Sequence, residues 1–232
     1  MTIRPLVIAS NMLNERHQLE EWFAFVKQIA DAGILIVDSG STDGTIEYAE
    51  EQENTIVIVS NIIQEKGYGP ARNHLRAMAR KHFPVAHWMC YLDGDERIDK
   101  EEFHQLRFLK DYTTAQFDVI AFPRIDWDDR ERTFAHNDWR IAPDWQARMT
   151  RLDSPLLYIR KLHEQITEHK GVLTRLTNPK INHFHRSVTK EKRDLIGKLC
   201  AKLHMEDKEY GHTFPEHHKE AMYRERYLKE GL

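Results

Sequence analysis

Short apolar runs recur through the first half of the chain, and stretches with helical spacing lie between them. Residues 6–9, 34–37, 55–59, 87–92 and 117–122 are apolar, brief and bounded by polar sequence. They predict buried strands. Residues 15–30 repeat apolar side chains at Leu19, Trp22, Phe23, Val26 and Ile29, which predicts a helix, with Gly33 placed to end it. Further helices are expected after Ser41-Thr42-Asp43-Gly44 to about residue 51, over 70–82 with Pro70 in the opening turn, and over 100–109. Strands alternating with helices argue for an α/β fold with a mostly parallel sheet.

The second half reads differently. Residues 124–150 hold many charges and three tryptophans without a clean period, and are expected to form loops and short strands. Residues 155–182 suggest short strands and turns. Beyond Ser187, Leu195, Leu199 and Leu203, then Met222, Tyr223 and Tyr227, recur at roughly helical spacing, as in amphipathic helices. The expected organisation is one domain over residues 1–186, with halves 1–123 and 124–186, and a helical extension over 187–232.

Composition narrows the class. The formal charge of −3 gives no general electrostatic case for nucleic acid or an anionic membrane. Two cysteines make no disulfide framework, and Cys90 lies inside an apolar run. No stretch is long and apolar enough to span a bilayer, and no signal peptide is evident. A cytoplasmic location is expected, with peripheral membrane contact left open.

The chemistry gathers where strands end. Asp93-Gly94-Asp95-Glu96 follows the run ending at Leu92. Carboxylates so clustered repel one another unless a cation sits among them, and hard divalent cations often bridge one or two carboxylates to nucleotide phosphates. An acidic turn of no further meaning would look the same. Asp38-Ser39-Gly40-Ser41-Thr42-Asp43-Gly44 follows the second strand, a small hydroxyl-rich loop that lets backbone approach a ligand. Arg72 lies in the first turn of the 70–82 helix, where its guanidinium could reach a phosphate or base. No G-x-G-x-x-G or P-loop lysine occurs, and His163-Glu164-Gln165-Ile166-Thr167 lacks the second histidine of H-E-x-x-H.

Taken in order, Asn14-Glu15, Val37 to Asp43, Ala71-Arg72-Asn73 and Leu92 to Glu96 resemble the inverting glycosyltransferases of family 2, which have the Rossmann-like GT-A fold. The lipopolysaccharide-core and capsule type is also similar at residues 143–148, at Leu162-His163-Glu164 and at Asn182-His183-Phe184-His185; the likeness covers about residues 3–200. It implies that Asn14, Glu15, Asp38, Ser39, Arg72 and Asp93 hold the nucleotide. It implies that Asp95 binds a divalent Mn²⁺ or Mg²⁺, joined by His183 or His185, between which the sequence does not choose. Glu164 would be the base, with His163 in reserve, and Trp145 and Arg148 would shape the sugar or acceptor pocket, although Trp145 could equally be core. The Q-x-x-R-W motif of polymer synthases is missing, so transfer of one sugar is expected, from a UDP-, GDP- or dTDP-linked donor to a glycan or glycolipid hydroxyl. A homodimer through the C-terminal helices is compatible with this reading. Two rivals are a sugar nucleotidyltransferase, disfavoured because residues 9–16 contain no glycine, and a non-catalytic binding protein.

Overall fold

The structure is a computed structural model that describes residues 4–112, 116–127, 131–132, 135, 144–174, 176–184 and 190–209. Its strands are β1 (Leu6–Met12), β2 (Gly33–Asp38), β3 (Thr55–Val59), β4 (Trp88–Tyr91), β5 (Glu96–Arg97), β6 (Val119–Asp126), β7 (Asp144–Arg151), β8 (Leu157–Ile159), β9 (Gln165–Thr167), β10 (Val172–Leu173) and β11 (Ile181–His183). Its helices are α1 (Leu19–Val26), α2 (Thr45–Glu50), α3 (Ile62–Lys66), α4 (Tyr68–His82), α5 (Phe103–Tyr112) and α6 (Lys190–Glu209). Nine strands form one sheet in the order β3-β2-β1-β4-β7-β6-β11-β5, with β10 beside β6; β8 and β9 make a separate hairpin.

The first four strands of that order are mutually parallel. Two apolar layers cover them. Leu6, Ile8, Ile34, Ile36, Trp88 and Cys90 pack against Trp22, Phe23 and Val26 of α1. Val7, Ala9, Leu35, Val37, Met89 and Tyr91 face Leu75 and Ala79 of α4. This alternation is the period-2 geometry of a strand buried on both faces. Each large side chain so buried contributes about 1.5–3 kcal/mol.

Three expectations need correction. Residues 144–150, expected within a run of loops and short strands, belong to β7, which is eight residues long and lies inside the sheet, antiparallel to both β4 and β6. Its polar residues concealed it. Arg148 and Thr150 are both buried, and Thr150 Oγ1 accepts a 2.7 Å hydrogen bond from Arg76 of α4. The helix expected over 15–30 stops at Val26, and Gly33 opens β2 instead of capping that helix. The short helix α3 went unforeseen.

Candidate active site

The carboxyl ends of β1, β2 and β4 converge, as expected for ligand sites in open α/β sheets. The Asp93–Glu96 turn leaves β4 there and is braced from beneath. Trp22 Nε1 of α1 donates to the Asp93 carbonyl at 3.1 Å. Glu96 is fully buried and its carboxylate accepts the Asp93 N–H at 3.1 Å. Arg148, 3% exposed, pairs with Glu96 and reaches Asp93 Oδ2 at 3.1 Å. Tyr91 Oη donates to the other Asp93 oxygen at 2.5 Å. Arg148 therefore sits behind the acidic turn, as its counter-charge. Gly94 is required by packing: a Cβ there would lie 2.9 Å from Glu15 Cδ.

Asp95 points the other way. Its Oδ2 lies 3.3 Å from His183 Nε2, and His183 Nδ1 is 2.6 Å from Asp126 Oδ1. β11 and β5 pair His183 opposite Glu96, and the Phe184 N–H donates to the Asp95 carbonyl, so backbone register fixes this meeting. Burial alone would lower the His183 pKa; the charge of Asp95 and hydrogen bonds with Asp126 and Asp95 outweigh it and raise it to about 10. Burial would raise the Asp95 pKa, but His183 and then Lys192 hold it well below the usual carboxylate range. Glu15 pairs with Lys192 of α6 beside this group, and burial lifts its pKa to about 7 despite that lysine.

At the β1 and β2 ends, Asp38 is fully buried and shapes its own loop. It accepts from the Gly40 and Ser41 N–H groups at 2.8 and 2.6 Å and from Ser41 Oγ at 2.6 Å. Asn14 ties this loop to the end of β1: its N–H donates to Ser41 Oγ and its side chain accepts from the Thr42 N–H. Both amide atoms of Asn11, Ser39 Oγ and Gln64 Oε1 are buried without a hydrogen-bond partner. Buried polar groups are nearly always paired, so these four unpaired atoms mark a candidate ligand position. Gln64 of α3 is held there by donating to the Ser39 carbonyl.

Arg72 projects from α4 over Tyr91, with its guanidinium carbon 3.6 Å from the ring centroid, and forms an ion pair with Glu164. Burial would raise the Glu164 pKa, yet Arg72 holds it below the ordinary value, so this carboxyl is ionised at neutral pH. His163 next to it is exposed and has a left-handed backbone, with φ of 51°. Trp145 is partly buried on β7, opposite Pro123. His185 lies outside the described residues.

The description "Glycosyl transferase family 2" matches residues 11–169, more than half of the chain. The chain belongs to glycosyl transferase family 2. Among solved structures it is similar to S. aureus TarS, at TM-score 0.53 and 15% identity over 85% of this chain and 39% of that one. It is also similar to TarS 1-349 in complex with UDP-GlcNAc, at TM-score 0.51 and 15% identity over 86% of this chain and 66% of that one. The chain thus spans about two fifths of the longer TarS chain and about two thirds of the shorter. No curated protein matches the sequence. The likeness is one of fold, and it agrees with the GT-A architecture expected from the motifs.

Sequence reasoning missed several residues that this family 2 site brings together. Asn11 and Gln64 fell outside every expected element, Tyr91 lay within an expected strand, and Lys192 lay in the expected helical extension with no role assigned. Only the unpartnered atoms of Asn11 and Gln64 and the burial of Lys192 mark them, and neither is visible in sequence. No metal cage is preformed: among the described residues, no group of three or more His, Cys, Asp or Glu side chains is arranged to hold a metal ion. The raised His183 pKa carries a prediction for stability. A histidine raised from 6.5 to about 10 contributes stability that is full below about pH 6.5 and lost as pH rises through about 10. With chelator present, melting temperature is expected to fall over that window, and His183→Gln to flatten the fall. An equally steep fall in that variant would place the titration elsewhere.

Proposed function

We propose that the protein is an inverting, metal-assisted glycosyltransferase that moves one sugar from a nucleotide-diphospho-sugar to a hydroxyl of a glycan or glycolipid. One observation carries this reading: the Asp95–His183 pair sits on the turn after β4, and the Arg72 that holds Glu164 stacks on Tyr91, whose hydroxyl donates to Asp93 of the same turn.

In this reading the nucleobase and ribose lie across the ends of β1 and β2. The Asn11 amide offers one donor and one acceptor to a base edge, Gln64 and Ser39 add polar atoms, and Asp38 keeps the loop in shape. Asp93 faces the ribose side, its carboxylate fixed by Tyr91 and Arg148. Asp95 and His183 suit a divalent cation. Asp126 on Nδ1 orients the imidazole so that Nε2 faces Asp95, the outer carboxylate commonly found behind a ligating histidine. Asp95 and His183 would hold a Mn²⁺ or Mg²⁺ ion, a hard cation that takes oxygen and imidazole donors. Such an ion would neutralise charge gathering on the departing diphosphate.

Glu164 takes the proton of the acceptor hydroxyl. The acceptor oxygen bonds to the anomeric carbon as the bond from that carbon to the diphosphate oxygen breaks. The electron pair leaves on the diphosphate, and attack from the opposite face inverts the centre. A carboxylate paired with arginine is ionised but a weak base; it strengthens when the acceptor hydroxyl replaces the guanidinium as its partner.

The test is a panel of nucleotide sugars, beginning with UDP sugars because the TarS structure is a complex with UDP-GlcNAc. Calorimetric binding in the presence of Mn²⁺ is expected for one donor class. Binding should weaken by about 10-fold in Asn11→Ala, the cost of roughly one hydrogen bond to the base. If no donor binds, with or without metal, the enzymatic reading fails in favour of a non-catalytic protein.

A further inference from the structure

The segment carrying Glu164 is gripped from two sides. On one side lies the junction of α3 and α4. There the Tyr68 N–H donates to the Lys161 carbonyl at 2.7 Å and the Gly69 N–H to the Arg160 carbonyl at 3.1 Å. Two glycines permit this approach. A Cβ on Gly67 would lie 2.6 Å from Lys161 Cα, and one on Gly69 would lie 2.3 Å from the Arg160 oxygen.

On the other side is Asp207 of α6, 1% exposed. The Lys161 N–H donates to both of its oxygens, at 2.8 and 3.0 Å, and the Leu162 N–H donates to one of them at 2.8 Å. Glu206 adds a 2.6 Å ion pair with Lys161 Nζ. Between these two grips, Arg160 and His163 hold left-handed backbone at φ of 72° and 51°. Side-chain-bearing residues keep such conformations where their surroundings impose them. Asp207 lies beyond the family match, which ends at residue 169.

We propose that Asp207 is a positioning residue: its carboxylate fixes residues 160–162 so that Glu164, two residues on, meets Arg72 and the acceptor. This rests on the reading of Glu164 as the base. A loosened segment displaces a reacting group by a fraction of an ångström or more, which costs rate far more than affinity.

The experiment compares Asp207→Ala, Asp207→Asn and Glu164→Gln in the full chain. It measures transfer kinetics, donor affinity by calorimetry, and amide hydrogen exchange at Lys161 and Leu162. Asp207→Ala is expected to lower kcat about 10- to 100-fold, leave donor affinity within about twofold, and speed exchange at both amides. Asp207→Asn keeps one carbonyl oxygen as acceptor and should recover part of the rate, which guards against simple failure to fold. In a Glu164→Gln background, Asp207→Ala should lower kcat no further.

Faster exchange with unchanged kcat would overturn the proposal, since the grip would exist without serving the base. So would donor affinity falling in step with kcat, which marks general damage. If Glu164→Gln itself keeps full kcat, the base reading falls and the positioning role falls with it. If Glu164→Gln is inactive and Asp207→Ala fully active, only the positioning role fails.

Discussion

Asp95→Ala is expected to reduce kcat/KM for sugar transfer by about 10²–10³, the scale on which loss of one charge-stabilising group acts in a transition state. The argument begins with geometry. Asp95 is the carboxylate that faces His183, and the register of β11 against β5 places both. Its pKa is held low, so it is fully charged wherever the enzyme would work. Removing it leaves the His183 ring facing Asp126 alone and deletes one of the two protein groups proposed to hold the cation. Raising Mn²⁺ should not restore the rate. The measurement is initial velocity over a range of Mn²⁺ and donor concentrations, and wild-type kcat/KM in the variant would remove Asp95 from the reaction.

Glu164→Gln should lower kcat by about 10²–10⁴, the usual range for a lost general base, with donor affinity nearly unchanged. The amide still accepts a hydrogen bond from Arg72, but it cannot take a proton. A structural cost comes with it. Arg72 is almost fully buried, and breaking a buried ion pair costs up to about 3–5 kcal/mol. Stacking on Tyr91 and residual solvent contact at Glu164 should keep the loss below that ceiling. Kinetics are therefore read at a temperature at which melting curves show the variant fully folded. The pH profile gives a second check. Arg72 holds Glu164 below its ordinary value of 4.5 in the free protein, so the acid limb of the wild-type kcat/KM, which reports the free enzyme, should lie lower still. An acid limb near neutrality would point to another base, with His163 the first to test.

The sheet was legible because its first strands are buried on both faces. Val7, Leu35, Val57 and Met89 stand in unbroken apolar runs, and the carboxylates Asp38 and Asp93 punctuate their ends. β7 was not legible, because burial there is satisfied by pairing instead of apolarity. Arg148 meets two carboxylates and Thr150 meets Arg76, so a strand at the centre of the sheet reads as charged coil. The same limit applies to the site. Asp95 and Glu164 stood in recognisable local words, whereas Lys192 and Asp207 acquire meaning only from partners far away in sequence. Glu15 lies far upstream of Lys192, and Lys161 lies 46 residues before Asp207. Asp38 was expected to meet a nucleotide directly, and its buried carboxylate spends its bonds on its own loop. In the proposed reading its influence on a nucleotide runs through backbone placement.

The acidic turn carries its own ballast. Glu15 is matched by Lys192, Asp95 by His183, and Asp93 and Glu96 share Arg148. Every carboxylate that could have repelled its neighbour has a cation of the chain's own beside it. Stripping divalent ions should therefore silence the enzyme without dismantling it.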